Sequence, residues 1–296
     1  VAAVDEQIAR DAAALVEVDY EILHHVATLE RAAEPTAPQI RPGRGPGSNR
    51  TTEPYSYRRG DVDAAFATAA VTVHGEYATP SALHNSFETH GSVAMWERDE
   101  LTVWDSTQNI FGVRAELAKK LNLPLASVRV ISRYMGGGFG SKNGLGKHTV
   151  LAAVISRRTG RPVRCVLDRA AENLAAGHRP PAQISVDLAS ESDGSLVGIR
   201  LHSKLSSGAY GLGGFQIGGP ARELYRCANV ETTQEAIYTN TGPGCAFRAP
   251  GYVAGTFASE SAMDALADRI GLDPLELRRK NYAEANQPRE MAYSQK

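Results

Sequence analysis

The sequence predicts an α+β fold: mixed sheet and helix, preceded by the end of a smaller α+β unit. Three observations lead there. Segments that alternate with period two, such as Val71–Thr79 and residues 196–205, are interspersed with segments at helical spacing, such as Ile110–Leu121. A short apolar run, Val128–Ile131, leads directly into a glycine-rich loop and then into a helical pattern. From residue 163 to 205 the strand patterns dominate, which favours helices packed on mixed sheets over a helical bundle.

Taken in order, residues 5–15 place Ile8, Ala12 and Leu15 on one helical face, and residues 16–23 then alternate apolar with acidic side chains as a strand does. Residues 31–57 are rich in Pro, Gly, Arg and Ser, with Pro-Gly-Arg-Gly-Pro-Gly at 42–47, and read as an extended linker. The expected organisation is therefore 1–30 as the C-terminal end of the small α+β unit, 31–57 as linker, and 58–296 as the main domain. Asp61 is the expected N-cap of a helix running to Ala69, followed by the strand Val71–Thr79. Strands are expected at 91–96, 101–104 and Val128–Ile131, with helices at Ile110–Leu121 and 144–158. Further strands fall at 163–167, 184–188 and 196–205, the last two joined by a turn at Asp193-Gly194. Residues 208–219 hold six glycines and are expected to form a mobile or ligand-facing loop, before helices at 255–270 and Pro274–Asn281.

Composition bounds the function. The chain has 296 residues, 42% hydrophobic and 22% charged, with a net charge of −1, which describes a soluble globular protein with ample core. That balance gives no electrostatic case for binding nucleic acid or an anionic membrane. No apolar run approaches the roughly 20 residues of a membrane span, and no signal-peptide pattern is present. The first residue is Val1, which leaves a targeting segment and the compartment open, with the cytoplasm favoured over the periplasm. Cys165, Cys227 and Cys245 are too few and too far apart for a disulfide framework, a Cys-x-x-Cys clip or an iron–sulfur cluster.

The most informative stretch is Tyr134-Met135-Gly136-Gly137-Gly138-Phe139-Gly140-Ser141-Lys142. Four glycines around one aromatic expose consecutive backbone N–H groups, which can form a concave nest for an anion or serve merely as a tight turn. A Walker loop is excluded, because Lys142 is followed by Asn143 and Gly146-Lys147 by His148. The dinucleotide fingerprint fails as well, since Ser141 or Asn143 stands where its third glycine belongs. The spacing of His84, Glu88 and His90 fits no zinc-binding helix face, and these are read as hydrogen-bonded structural residues; no metal ligand is expected in the chain. Taken alone, Gln108-Asn109 reads first as an exposed polar turn, and Arg248 can equally be a surface ion-pair partner.

Several segments together resemble the molybdopterin-binding large subunit of the molybdenum hydroxylases, the xanthine dehydrogenase and aldehyde oxidase family. They are His84-Asn85-Ser86-Phe87-Glu88-Thr89-His90, Ser106-Thr107-Gln108-Asn109, the glycine loop through Lys142, Gly160-Arg161-Pro162-Val163-Arg164, Ala246-Phe247-Arg248-Ala249-Pro250-Gly251, and residues 260–281. The resemblance implies that residues 1–30 end a hammerhead-type α/β domain and that 58–296 form the first molybdopterin-binding domain, the second lying outside this chain. It implies that Gln108 hydrogen-bonds an oxo ligand of the molybdenum, and that Gly136, Gly137, Gly138, Phe139, Gly140 and Arg248 bind the cofactor. It further implies hydroxylation of an aldehyde or N-heterocycle carbon with water as the oxygen source. Electrons would leave through iron–sulfur and often FAD-containing partner subunits, and a glutamate general base would lie beyond Lys296. On that expectation the segment alone is inactive. A non-catalytic cofactor-binding or assembly module is the alternative. Departures matter too: Asn143 replaces the purine-recognising glutamate of xanthine dehydrogenases, a purine-binding arginine aligns near His178-Arg179, and Pro250 replaces an aromatic that sandwiches purine. These argue against xanthine and place the chain nearer to bacterial aldehyde-oxidising and related hydroxylases.

Overall fold

The computed structural model describes all residues except 48, 212–214, 287–290 and 293–296. In chain order the first elements are α1 (Glu6–Ala14), α2 (Leu29–Ala33), β1 (Tyr55–Arg59), α3 (Val62–Thr68) and β2 (Val71–Thr79). There follow β3 (Gly91–Glu97), β4 (Glu100–Asp105), α4 (Ile110–Leu121), β5 (Val128–Ile131), α5 (Lys147–Thr159), β6 (Val163–Val166) and α6 (Arg169–Ala175). The rest are β7 (Ala182–Ser190), β8 (Leu196–Ser206), α7 (Gly219–Glu223), β9 (Asn229–Ile237), α8 (Tyr252–Ile270), α9 (Pro274–Asn281), β10 (Ala285–Asn286) and β11 (Met291–Ala292). None of the described helices is long and apolar enough to cross a membrane.

The elements form two compact units, Val1–His25 with Asn85–Asn173, and Val26–His84 with Leu174–Lys296. The first holds a four-stranded sheet in the order β5-β4-β3-β6, antiparallel except for the parallel pair β4–β5. Alternation along β4 turns Leu101 and Val103 inward, onto Val113 and Leu117 of α4 and Ala152 and Ala153 of α5. Leu101 and Leu117 are essentially fully buried, each such side chain stabilising by roughly 1.5–3 kcal/mol. Helix α4 starts where Asn109 accepts the Gly112 N–H and stops at Asn122 in the left-handed conformation.

The second unit is built on a five-stranded sheet, β1-β9-β8-β7-β2, antiparallel except between β8 and β9. One face of β7 buries Ile184, Val186 and Leu188 in a core with Ala258, Met263 and Leu266 of α8. Small residues let α8 approach closely: a Cβ at Gly255 would lie 2.0 Å from the Ile217 carbonyl oxygen. The hairpin between β7 and β8 turns at Gly194 (φ +87°), as the Asp-Gly pair predicts.

Most elements match the sequence reading, and the mismatches have physical causes. Residues 16–23 form no strand; no described segment pairs with them, and Tyr20, Ile22 and Leu23 are exposed. Alternation marks a strand only where a neighbour supplies the ladder. Helix α5 begins at Lys147 rather than 144, because Gly146 takes the N-cap position, so four residues separate it from the glycine loop. Strand β9 escaped notice because Glu, Thr and Gln fill most of it, yet it pairs on both sides. Within 31–57, read as linker, lie the end of α2 and the start of β1; Ala32 is buried beside Ile237, and Asn49 is buried too. The glycine-rich stretch 208–219 includes 212–214, which lie outside the described residues.

Candidate functional site

In the first unit the chain leaves β5 and enters the glycine loop, whose backbone is unusual. φ is positive at Gly137 (+94°), at Phe139 (+54°) and at Gly140 (+111°), but not at Gly138. Positive φ at the bulky Phe139 is costly, and such strain collects at ligand sites. The alternation turns neighbouring N–H groups the same way. Among the described residues, no acceptor meets the N–H groups of Gly137, Gly138 or Phe139. Beside Gly137 the Ser86 hydroxyl is buried with no partner; Ser86 lay in a segment singled out by sequence, but without a role. The loop therefore presents a cluster of unsatisfied donors.

Gln108 belongs to this cluster. Its Oε1 accepts the Gly140 N–H at 2.7 Å, which fixes the amide orientation and leaves Nε2 as a donor with no acceptor among the described residues. A Cβ at Gly138 would fall 2.4 Å from that Oε1, so glycine is required for the amide to lie against the loop. Gly136 is similarly constrained, by the Glu88 Cβ at 2.6 Å. The structure thus brings Gln108 together with Gly136, Gly137, Gly138, Phe139 and Gly140.

Arg248 belongs to the second unit, on a strained turn where φ is +27° at Arg248 and +58° at Ala249. The Arg179 Nη2 donates to the carbonyls of Phe247 (2.7 Å) and Arg248 (2.9 Å). The Phe247 ring lies between the Arg179 guanidinium, 4.3 Å from its centroid, and the His84 ring, 4.4 Å between centroids. His84 Nε2 also lies 2.7 Å from the Ala246 carbonyl oxygen. The Arg248 side chain is exposed and meets no acceptor among the described residues.

His90 bridges Glu172 (2.9 Å) and the Ser141 carbonyl (3.2 Å), as expected of a structural residue. Among the described residues no three His, Cys, Asp or Glu side chains converge as a metal site. Burial pushes the Cys165, Cys227 and Cys245 thiols up, away from the reactive thiolate.

A strained loop with unmet backbone donors and a side-chain amide donor, with no metal-ligand cluster among the described residues, are features of a site that suits a prosthetic group carrying its own metal ligands. The chain belongs to the molybdopterin cofactor-binding domain family, whose model matches residues 46–282. It is 37% identical over 219 residues to the aldehyde oxidoreductase molybdenum-binding subunit PaoC of Escherichia coli (strain K12), covering 74% of this chain and 30% of that one. It is 33% identical over 287 residues to the xanthine dehydrogenase molybdenum-binding subunit of Escherichia coli O157:H7, covering 95% and 37%. Its fold is similar to that of quinoline 2-oxidoreductase from Pseudomonas putida 86, with a TM-score of 0.87, 30% identity, and coverage of 94% of this chain and 36% of the other. The chain thus spans about a third of the length of these relatives.

The residues present fit a molybdenum–pterin group. Its metal is held by the pterin's own sulfurs, so a protein contributes hydrogen-bond donors and close backbone approach, which is the donor set the loop offers.

Proposed function

We propose that this chain is the cofactor-binding part of an oxidoreductase that hydroxylates an aldehyde or N-heterocycle carbon with water as the oxygen source. Electrons pass on to iron–sulfur and flavin partner subunits. The observation that carries the reading is the set of unsatisfied donors at Gly137, Gly138, Phe139 and the Gln108 Nε2, all in one loop cluster. Gly137, Gly138 and Phe139 offer their N–H groups to the bound group, Gly136 and Gly140 give the backbone room to approach it while their own N–H groups bond Glu88 and Gln108, Gln108 donates to an oxygen on its metal, and Arg248 supplies a cation for its phosphate. When bound, the group provides two-electron redox chemistry that no side chain can supply. This chain's residues bind and orient it; Glu88, engaged in three hydrogen bonds, is not assigned as general base. In this reading 1–30 end a small α+β domain, 31–57 connect it, and 58–296 form the first cofactor domain. Names of relatives that act on an aldehyde and on quinoline support the substrate class.

Molybdenum per polypeptide, measured on the native full-length subunit containing this sequence, tests the proposal. About one metal per chain with turnover of an aldehyde or N-heterocycle supports it. Metal without turnover of either class points to a non-catalytic cofactor-binding module. A folded, molybdate-supplied subunit without metal overturns the cofactor assignment.

A further inference from the structure

Among the described residues the largest wholly buried side chain is a lysine. Lys142, at the end of the glycine loop, is 1% exposed. A buried ammonium is tolerated only when its protons are matched, and here all three are. Nζ donates to the Glu88 carbonyl at 2.9 Å, to Glu88 Oε2 at 3.2 Å and to Ser106 Oγ at 2.7 Å. The Ser106 hydroxyl donates on to Glu88 Oε2 at 2.7 Å, and the same oxygen accepts the Gly136 N–H at 2.7 Å. Burial pushes the Glu88 carboxyl up, but the hydrogen bonds from Ser106, Gly136 and Lys142 together hold it below the usual range, so it is a carboxylate.

The lysine's main chain completes the arrangement. Its carbonyl accepts the Gln108 N–H at 2.8 Å and the Thr107 hydroxyl at 3.1 Å. One residue therefore closes the loop at both ends: covalently after Ser141, and through Glu88 at Gly136. It also fixes the backbone of Gln108, whose side chain lies on the loop.

We propose that Lys142, acting through Glu88 and Ser106, is a positioning residue that sets the geometry of the anion cradle and of Gln108 and does not itself touch the bound group. Its ammonium faces protein acceptors on every side and has no proton left for a ligand. The inference deepens the functional reading above and rests on it for what the cradle holds. The clamp itself is testable without any cofactor.

The experiment is residue-resolved hydrogen exchange on the native full-length subunit in its metal-free form, comparing wild type with Lys142→Met, Glu88→Gln and the double variant. Lys142→Met keeps the length of the side chain and removes the charge. The expected result is at least about tenfold faster exchange at the Gly136 and Gln108 amides, with the amides of β3 and β4 unchanged. The effects of Lys142→Met and Glu88→Gln are expected to be non-additive in the double variant, because each breaks the same link. Unchanged exchange at Gly136 and Gln108 overturns the proposal, as does an equal acceleration throughout β3 and β4, which marks a purely structural lysine. Should Lys142→Met fail to fold, Ser106→Ala removes one arm of the cluster and leaves the ion pair. Faster exchange at Gly136 in that variant supports the clamp, and unchanged exchange overturns it. Molybdenum content reports on the other question: a wild-type subunit with a protected loop and no metal would sink the functional reading and leave the clamp standing.

Discussion

The two units each hold a candidate binding segment in a strained conformation, but by different means. In the first unit the glycine loop is tied by charged side chains, Lys142 and Glu88, contributed by segments 54 residues apart. In the second, the Phe247–Arg248 turn is tied by a guanidinium on backbone carbonyls and by a ring stack, with no carboxylate involved among the described residues. An arginine also appears in the first unit, where the Arg169 Nη2 donates to the carbonyls of Ser86 (2.7 Å) and Phe87 (3.1 Å), but there it only supports the segment that carries Glu88. An ionic clamp depends on the protonation of one carboxylate. A guanidinium on carbonyls keeps its charge at all working pH values.

Substitutions sharpen this contrast. The largest effect is expected for Gly137→Val, which places a β-branched residue at φ +94° with its Cβ 3.2 Å from the Phe139 ring. Strain of roughly 1–3 kcal/mol in the cradle translates to about 5- to 150-fold weaker retention of molybdenum in the full-length subunit, read by elemental analysis. Retained stoichiometric metal would break the assignment of this loop. Next, Arg179→Met removes the hydrogen bonds to Phe247 and Arg248 and the stack on Phe247, and is expected to cost about 2 kcal/mol. A shift in denaturation midpoint, together with faster exchange at residues 246–249 and none at 136–140, would confirm that each segment has its own support.

Acid should separate the two further. Burial pushes the His178 imidazole down, as does neighbouring His84, so the neutral form is favoured in the fold. That stability is present above the unfolded value of about 6.5 and is lost as pH falls through the lower folded value. His178 pairs through its main chain with Pro243 and Cys245, just ahead of the strained turn. The Glu88 carboxyl is also depressed, and its contribution is present above about 4.3 and lost only at lower pH. Protection factors measured from pH 7 to 4 are expected to fall first at residues 243–248 and afterwards at Gly136. The reverse order would contradict the difference drawn here. The smallest effect belongs to Gln108→Ala, which removes the proposed donor to the bound group, worth about 1 kcal/mol, together with the acceptor of the Gly140 N–H. It should slow turnover several-fold while leaving metal content near that of the wild type.

The element pattern was legible wherever periodicity was strong: α4, β5 and α9 fall at the expected residues, and β2 matches along its whole length. Strand β9 was hidden because its neighbours, not its own apolar residues, make it a strand. The candidate site was legible only as a set of motifs. Glycines signal room for a backbone, but nothing local to Gly-Ser-Lys shows that the lysine is buried, or that Glu88 turns to meet it. Arg179, aligned near a purine-binding arginine, instead holds two carbonyls of its own chain. The Ser86 hydroxyl, buried and with no partner among the described residues, lies in a motif that gave it no role of its own.

The order of strands also bears on how the protein is made. The core of the first unit draws only on residues between Ala94 and Cys165, a continuous stretch. The sheet of the second joins Tyr55 to Gln234 and Val71 to Ser190, so it stays open until the chain has been synthesised past β9. Loop-closure entropy and sequence separation both delay such pairings. A nascent chain can therefore complete the compartment around the glycine loop while β1 and β2 still wait for partners. During that interval their unpaired edges are the part of the molecule most in need of a chaperone.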